Sequence, residues 1–193
     1  MTTILLARHG ETDWNREGRF QGHADPPLNE TGRAQAAALA RELAGVALAA
    51  VYSSPLRRAL ETAEVVAAEH GLEPVAVDAL RELNVGSWEG LTRAEVEARF
   101  PEQLARWLDY DQGWQDGESY DEMGQRVVSA LLGLAAAHLG EQILAVTHGG
   151  PIRAAFAFAD GTSHADARRL GPRIGNAFVA KFAVEDEALR RLD

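Results

Sequence analysis

Residues 4–10 read Ile4-Leu5-Leu6-Ala7-Arg8-His9-Gly10, and residues 143–150 repeat the form as Ile143-Leu144-Ala145-Val146-Thr147-His148-Gly149-Gly150. Each is an apolar run of strand length that ends in a histidine followed by glycine. In open parallel sheets, ligands gather at the carboxyl ends of the strands. Two histidines placed at such ends are expected to face one crevice. Gly10 and Gly149-Gly150 are expected to let the backbone approach a ligand closely.

Working outward, strands are predicted over residues 3–7, 48–52, 74–77, 142–147 and 177–184. Helices are predicted over 30–44, 55–69, 92–108, 119–139 and 151–158, several of them Ala-rich. Strands and helices alternate. The expected class is therefore α/β, a three-layer α/β/α arrangement with a mostly parallel central sheet. Ser54-Pro55 reads as an N-cap with proline at the first helical position. Ser119-Tyr120-Asp121-Glu122 has the form of a capping box, and Gly140 is expected to close the long helix. Residues 84–118, with Pro101, Trp88, Trp107 and Trp114, read as a helical insertion over the carboxyl strand ends, a candidate lid. Residues 92–122 hold nine acids against three arginines. The whole chain, 1–193, is read as one domain.

The chain carries a formal net charge of −10 and no cysteine. Disulfides and thiolate chemistry are excluded, and a reducing compartment fits. So acidic a chain is a poor ligand for nucleic acid or an anionic membrane, which need clustered Lys and Arg. The N-terminus lacks a cationic n-region, and no apolar stretch approaches the roughly 18 residues of a membrane helix. The expected location is the cytoplasm. An anionic substrate must therefore find a local positive pocket. A third strand end offers one: Ser53-Ser54-Pro55-Leu56-Arg57-Arg58 opens a helix beside the same crevice. A helix N-terminus favours anions, and the arginine fork matches phosphate oxygens. Adjacent residues point apart, so at most one of Arg57 and Arg58 reaches the crevice.

Arg8-His9-Gly10-Glu11-Thr12 with Asn15 resembles the signature of the histidine phosphatase superfamily, in its phosphoglycerate mutase-like branch. The resemblance continues through Gly18-Arg19-Phe20-Gln21-Gly22 and Pro27-Leu28-Asn29-Glu30-Thr31-Gly32-Arg33. It resumes at Ser53 to Ala63, at Leu80-Arg81-Glu82-Leu83 with Gly86 and Trp88-Glu89-Gly90, and at Thr147-His148-Gly149-Gly150. These blocks stand in the family's order and span nearly the whole chain.

The resemblance implies a phosphoric monoester hydrolase that works without a metal or other cofactor on a small phosphorylated metabolite. It implies that His9 becomes phosphohistidine, that Arg8, Arg58 and His148 bind phosphoryl oxygens, and that Glu82 is the proton donor. It places Asn15, Gln21, Gly22 and Gly149 along the substrate site, and it favours Arg58 over Arg57. Elementary chemistry is consistent with these roles. A nucleophilic imidazole must be unprotonated, and flanking arginines disfavour its second proton. The same arginines neutralise the transferring phosphoryl group. A poor alkoxide leaving group needs an acid.

The family also holds mutases, which are isomerases. A mutase must keep phosphohistidine from water and seat a second anionic group. The chain is shorter than the mutases it resembles, and its candidate lid is acid-rich, which favours the phosphatase. A non-catalytic phospho-ligand binder has no use for Glu82. Trp14, Trp88 and Trp114 are candidates to stack on an aromatic leaving group. His23, His70, His138 and His164 read as surface or helix-end residues. Arg153, Lys181, Glu11 and Glu89 receive no role. The reading leaves room for a homodimer, with no sequence feature that marks its interface.

Overall fold

The computed structural model describes residues 1–108, 114, 116–186 and 188–192. Strand β1 (Thr2–Arg8) lies in the middle of a six-stranded sheet of order β3-β2-β4-β1-β5-β6. Its partners β4 (Gln142–Thr147), β2 (Ala50–Ser53) and β3 (Pro74–Ala76) continue the sheet in parallel. On the other side β5 (Val179–Glu185) and β6 (Ala188–Arg191) run antiparallel. Arg8 stands opposite Thr147, so His9 and His148 leave the sheet side by side.

Alternation along the two central strands builds the three layers. Leu5, Ala7, Leu144 and Val146 face α2 (Glu30–Leu43) and α3 (Arg57–Glu69). Ile4, Leu6, Ile143 and Ala145 face α6 (Tyr120–Ala137) and α7 (Gly149–Asp160). Both faces are dry, as a parallel sheet requires. Among the described residues, no helix is long and apolar enough to cross a membrane.

Several boundaries differ from the expectation. The helix expected over 55–69 starts at Arg57, capped by Leu56 without a side-chain bond. Ser54 is not the N-cap: its hydroxyl accepts from Leu56 N at 3.3 Å, just ahead of the helix, and also meets His148 Nε2 at 2.8 Å. The helix expected over 92–108 is two, α4 (Arg93–Arg99) and α5 (Pro101–Leu108). The residue before proline is disfavoured in helix, and Phe100 takes φ −136° and ψ 52°. The last strand begins at Val179 rather than 177, because Ala177 has φ +57°. Short helices α1 (Asp13–Glu17) and α8 (His164–Leu170), and strand β6, were not anticipated. The Ser119–Glu122 capping box is present, and α6 ends at Ala137 with His138 as its C-cap, three residues before Gly140 at φ +83°.

The insertion has a core of its own. Val85, Trp88, Val96 and Leu104 are buried together, with Phe20, Trp107 and Trp114 against them. Phe20 comes from the loop after α1, so the insertion is packed onto a loop that borders the strand ends. Part of the expected insertion, residues 109–113 and 115, lies outside the described residues.

Candidate active site

His9 is fixed through its backbone. Its N–H donates to the Thr147 carbonyl at 3.0 Å, and its carbonyl accepts from Ala177 N at 3.3 Å and Asn176 Nδ2 at 3.2 Å. Its Nδ1 lies 2.6 Å from the Gly10 carbonyl oxygen. A carbonyl only accepts, so Nδ1 carries the hydrogen and Nε2 keeps its lone pair. Burial, then the charges of Arg58 and Arg8, hold the His9 pKa well below the ordinary 6.5. The direction is the expected one, but desolvation is a larger cause than the arginines. Gly10 answers to the fold rather than to a ligand: a Cβ there would run into the backbone of Gly32 in α2.

Arg58, in the first turn of α3, is fully buried and spread over three acceptors. Nη1 donates to Ala24 O at 2.7 Å, Nη2 to Gly22 O at 2.8 Å, and Nε to His148 Nδ1 at 3.3 Å. Burial pushes its pKa down to about 10, and it remains a cation at neutral pH. Arg57 turns outward to Glu61, so one arginine of the pair reaches the site. Because Nδ1 of His148 accepts, its Nε2 carries the hydrogen, and it faces Ser54 Oγ at 2.8 Å. Burial and Arg58 hold His148 well below 6.5 as well. Its ring meets that of His9 edge-on, centroids 5.1 Å apart.

Glu82 sits at the N-terminus of α7. Its Oε1 accepts from Gly150 N at 3.1 Å and from Leu83 N at 2.9 Å. A carboxylate is favoured at that end of a helix. A Cβ on Gly150 would collide with this carboxylate, so the glycine is where Glu82 enters. Arg8 anchors by Nη1 to Ile174 O at 2.9 Å, and burial lowers its pKa. Asn15 closes a capping box with Thr12 on α1, and its Oδ1 also accepts from Asn176 Nδ2 at 3.2 Å. Gln21 Oε1 accepts from Thr12 Oγ1 at 3.1 Å.

These groups surround a cavity of about 360 Å³. Arg8, His9, Asn15, Gln21, Arg58 and Glu82 line it, as does Gly22. His148 and Gly149 stand behind that wall, His148 against His9 and Gly149 beside Arg8. Among the described residues, Glu82 is the one carboxylate that lines the cavity of a chain that is acidic overall. Among the described residues, the acids of the insertion do not line the cavity. Glu95 caps α4 and pairs with Arg19, and Glu118 pairs with Arg126. For those acids the argument from an acid-rich lid finds no support, while Asp109 and Asp111 lie outside the described residues.

Other lining residues escaped the sequence reading. Arg153, His164 and Arg168 border the far end of the cavity, with Trp107, Trp114 and Tyr120. Asn176, which ties His9 to Asn15, carries only a turn-forming Gly175-Asn176 signal. Glu89 holds the loop that receives Arg58: its Oε1 accepts from His23 N at 2.6 Å and Ala24 N at 3.1 Å. Glu11 accepts from Asn29 Nδ2 at 2.9 Å, a link between loops. Of the three candidate stacking tryptophans, Trp88 is 1% exposed in the insertion core and Trp14 packs near Gly90; neither lines the cavity. Among the described residues, no group of three or more His, Cys, Asp or Glu could hold a metal ion.

The chain is 37% identical over 158 residues to phosphoserine phosphatase 1 of Hydrogenobacter thermophilus, covering 81% of this chain and 75% of that one. It is 40% identical over 161 residues to a metal-independent phosphoserine phosphatase of Arabidopsis thaliana, covering 81% and 68%. The structure of YhfR from Bacillus stearothermophilus superposes with a TM-score of 0.91 at 34% identity, covering 100% of this chain and 96% of that one. Residues 4–192 match the histidine phosphatase superfamily (branch 1), and the chain, with its paired histidines at adjacent parallel strand ends, belongs to that family.

Proposed function

We propose that the protein is a metal-independent phosphatase of small phosphomonoesters that works through a phosphohistidine on His9. The observation that carries this reading is the His9 imidazole, neutral, with its hydrogen held on Gly10 O and its Nε2 lone pair left for attack. The phosphatase names of the Hydrogenobacter and Arabidopsis relatives support water as the final acceptor. A cysteine-free chain fits a cytoplasmic setting.

In this reading His9 Nε2 attacks phosphorus, the N–P bond forms, and the ester P–O bond breaks. Glu82 gives its proton to the leaving oxygen. Its carboxylate then takes a proton from the water that attacks phosphorus, the P–N bond breaks, and inorganic phosphate leaves. Arg8 and Arg58 neutralise the equatorial oxygens. His148 accepts from Arg58 Nε through Nδ1, and its Nε2–H serves a phosphoryl oxygen by exchanging Ser54 Oγ for it. Asn15, Gln21, Gly22 and Gly149 shape the seat of the phosphate.

The test is release of phosphate from p-nitrophenyl phosphate with chelator present, with acid quenching to trap labelled protein. Label at His9, and loss of both label and turnover in His9→Ala, are expected. Undiminished turnover in His9→Ala sinks the proposal.

A further inference from the structure

Arg153 is a half-buried cation with no carboxylate within salt-bridge distance among the described residues, although the charge of Glu82 supports its ionised form. It lies on α7, four residues beyond Gly149, and helical side chains lean toward the N-terminus. There its Nη1 reaches the Gly149 carbonyl at 3.3 Å. A Cβ on Gly149 would sit 3.3 Å from Arg153 Nη1 and 3.9 Å from Arg8 Nε, so the two guanidinium groups flank the same glycine. Arg153 Nε is buried with no hydrogen-bond partner. The carboxylate of Glu82 is engaged by Leu83 N and Gly150 N, and the charge of Arg153 depresses the ionisation of Arg8. Glu82 is shared among Arg8, Arg58 and Arg153, so among the described residues three guanidinium groups of the cavity wall answer to the one carboxylate that lines it, and an anion entering the cavity would balance the excess.

The wall next to Arg153 is built to donate. His164 stacks on Tyr120, centroids 4.2 Å apart and planes 18° apart, and its Nδ1 is buried without a partner. Burial, with Arg153 and Arg168 nearby, pushes the His164 pKa down to about 4, so its ring is neutral at pH 7 and free to carry a hydrogen on Nδ1. Arg168 donates to the Tyr120 hydroxyl at 3.3 Å, and its guanidinium lies 3.7 Å over the Trp107 ring. That side of the cavity is therefore half aromatic and electropositive. It adjoins the seat of the phosphoryl group.

We propose that Arg153, assisted by His164, binds a carboxylate on the leaving group, so that the substrates are small phosphomonoesters bearing a carboxylate a few bonds from the ester oxygen. This rests on the phosphatase reading above and names its substrate class. One arginine fork matches one carboxylate. A second phosphoryl group would call for a cradle like that of Arg8 and Arg58, and Arg168 is already engaged with Tyr120 and Trp107. The cavity volume suits a metabolite of this size rather than a polymer.

The test compares near-isosteres on the full chain: 3-phosphoglycerate with glycerol 3-phosphate, and O-phosphoserine with O-phosphoethanolamine. The carboxylated member of each pair is expected to have the higher kcat/KM by about tenfold to a hundredfold, the range of a charge-assisted bond. Arg153→Met is expected to collapse that ratio toward one, and Arg153→Lys to restore part of it. Equal kcat/KM within each pair, or equal losses on both members in Arg153→Met, overturns the subsite. Turnover of p-nitrophenyl phosphate would meanwhile leave the phosphatase reading standing. If none of the esters turns over, that reading fails. Calorimetric titration with 3-phosphoglycerate and glycerol 3-phosphate then decides the subsite, and equal affinities reject it.

Discussion

His23 Nε2 lies 2.8 Å from the backbone carbonyl oxygen of Glu82. The carbonyl accepts, so Nε2 bears the hydrogen. This one bond joins two halves of the site. On one side, the carbonyls of Gly22 and Ala24 hold the Arg58 guanidinium, and Glu89 holds the N–H groups of His23 and Ala24. On the other, Arg126 of α6 donates to Ala79 O, Arg81 O and Glu82 O while pairing with Glu118. The proposed acid and the proposed phosphate-binding arginine are thus positioned against each other through backbone.

His23→Ala is expected to act through the position of Glu82. Loss of an acid's alignment matters most where the leaving group is a poor one. The variant should lose about tenfold in kcat on an alkyl phosphate and markedly less on p-nitrophenyl phosphate, whose leaving group needs little protonation. Steady-state rates on the two esters check this. Equal losses on both would point to general loosening instead.

Glu89→Gln keeps the shape of the side chain but removes the charge from an acceptor of two backbone N–H groups. The loop of Gly22 and Ala24 then loosens around Arg58. The expected cost is about 1–2 kcal/mol of stability, together with a rise in KM for the phosphoester. Denaturant unfolding and KM for p-nitrophenyl phosphate are the two measurements.

Much of this arrangement was legible in the chain because it is local. The runs 4–10 and 143–150 carry the strand, the turn and the histidine in one stretch, and parallel pairing of those strands brings His9 and His148 together. Arg58 and Glu82 became visible through the family's blocks rather than through any pattern of their own. What stayed hidden was long-range. The two short helices have too few turns to show a periodic signal. Arg168 sits on a helix whose facing neighbour, Trp107, is set by tertiary packing, and Arg153, though it reaches back along its own helix to Gly149, meets Arg8 and the cavity only through such packing. A histidine such as His164 looks like a solvent-facing helix end until Tyr120 covers it.

Stability should fall in mild acid. His9 and His148 are held well below the ordinary 6.5, and His164 is pushed down to about 4. Between those folded values and 6.5, the unfolded chain binds protons that the folded chain refuses. Their contribution is therefore complete above about pH 6.5 and is lost as pH drops through that window. Unfolding free energies from pH 7.5 to 4.5 should slope downward on the acid side. His164→Gln, which does not titrate, should flatten the slope by up to one proton. An unchanged slope in that variant would contradict the burial of His164.

Trp88 offers a test of how the insertion supports the site. Its ring is buried among Phe20, Trp107 and Trp114, with centroids 5.1, 6.0 and 5.4 Å away, and its Nε1 donates to Gln103 Oε1 at 3.0 Å. Trp107 and Trp114 reach from this cluster into the cavity wall, and Phe20 comes from the loop next to Gln21. Trp88→Ala leaves a void of indole size and should cost about 3–5 kcal/mol. Because Trp107 and Trp114 border the leaving-group end, KM should rise more on a metabolite ester than trapping of phosphohistidine at His9 falls. A thermal melt, KM on O-phosphoserine and the acid-quench yield separate the effects. A variant that melts normally and keeps its KM would show that the insertion core and the cavity wall are independent.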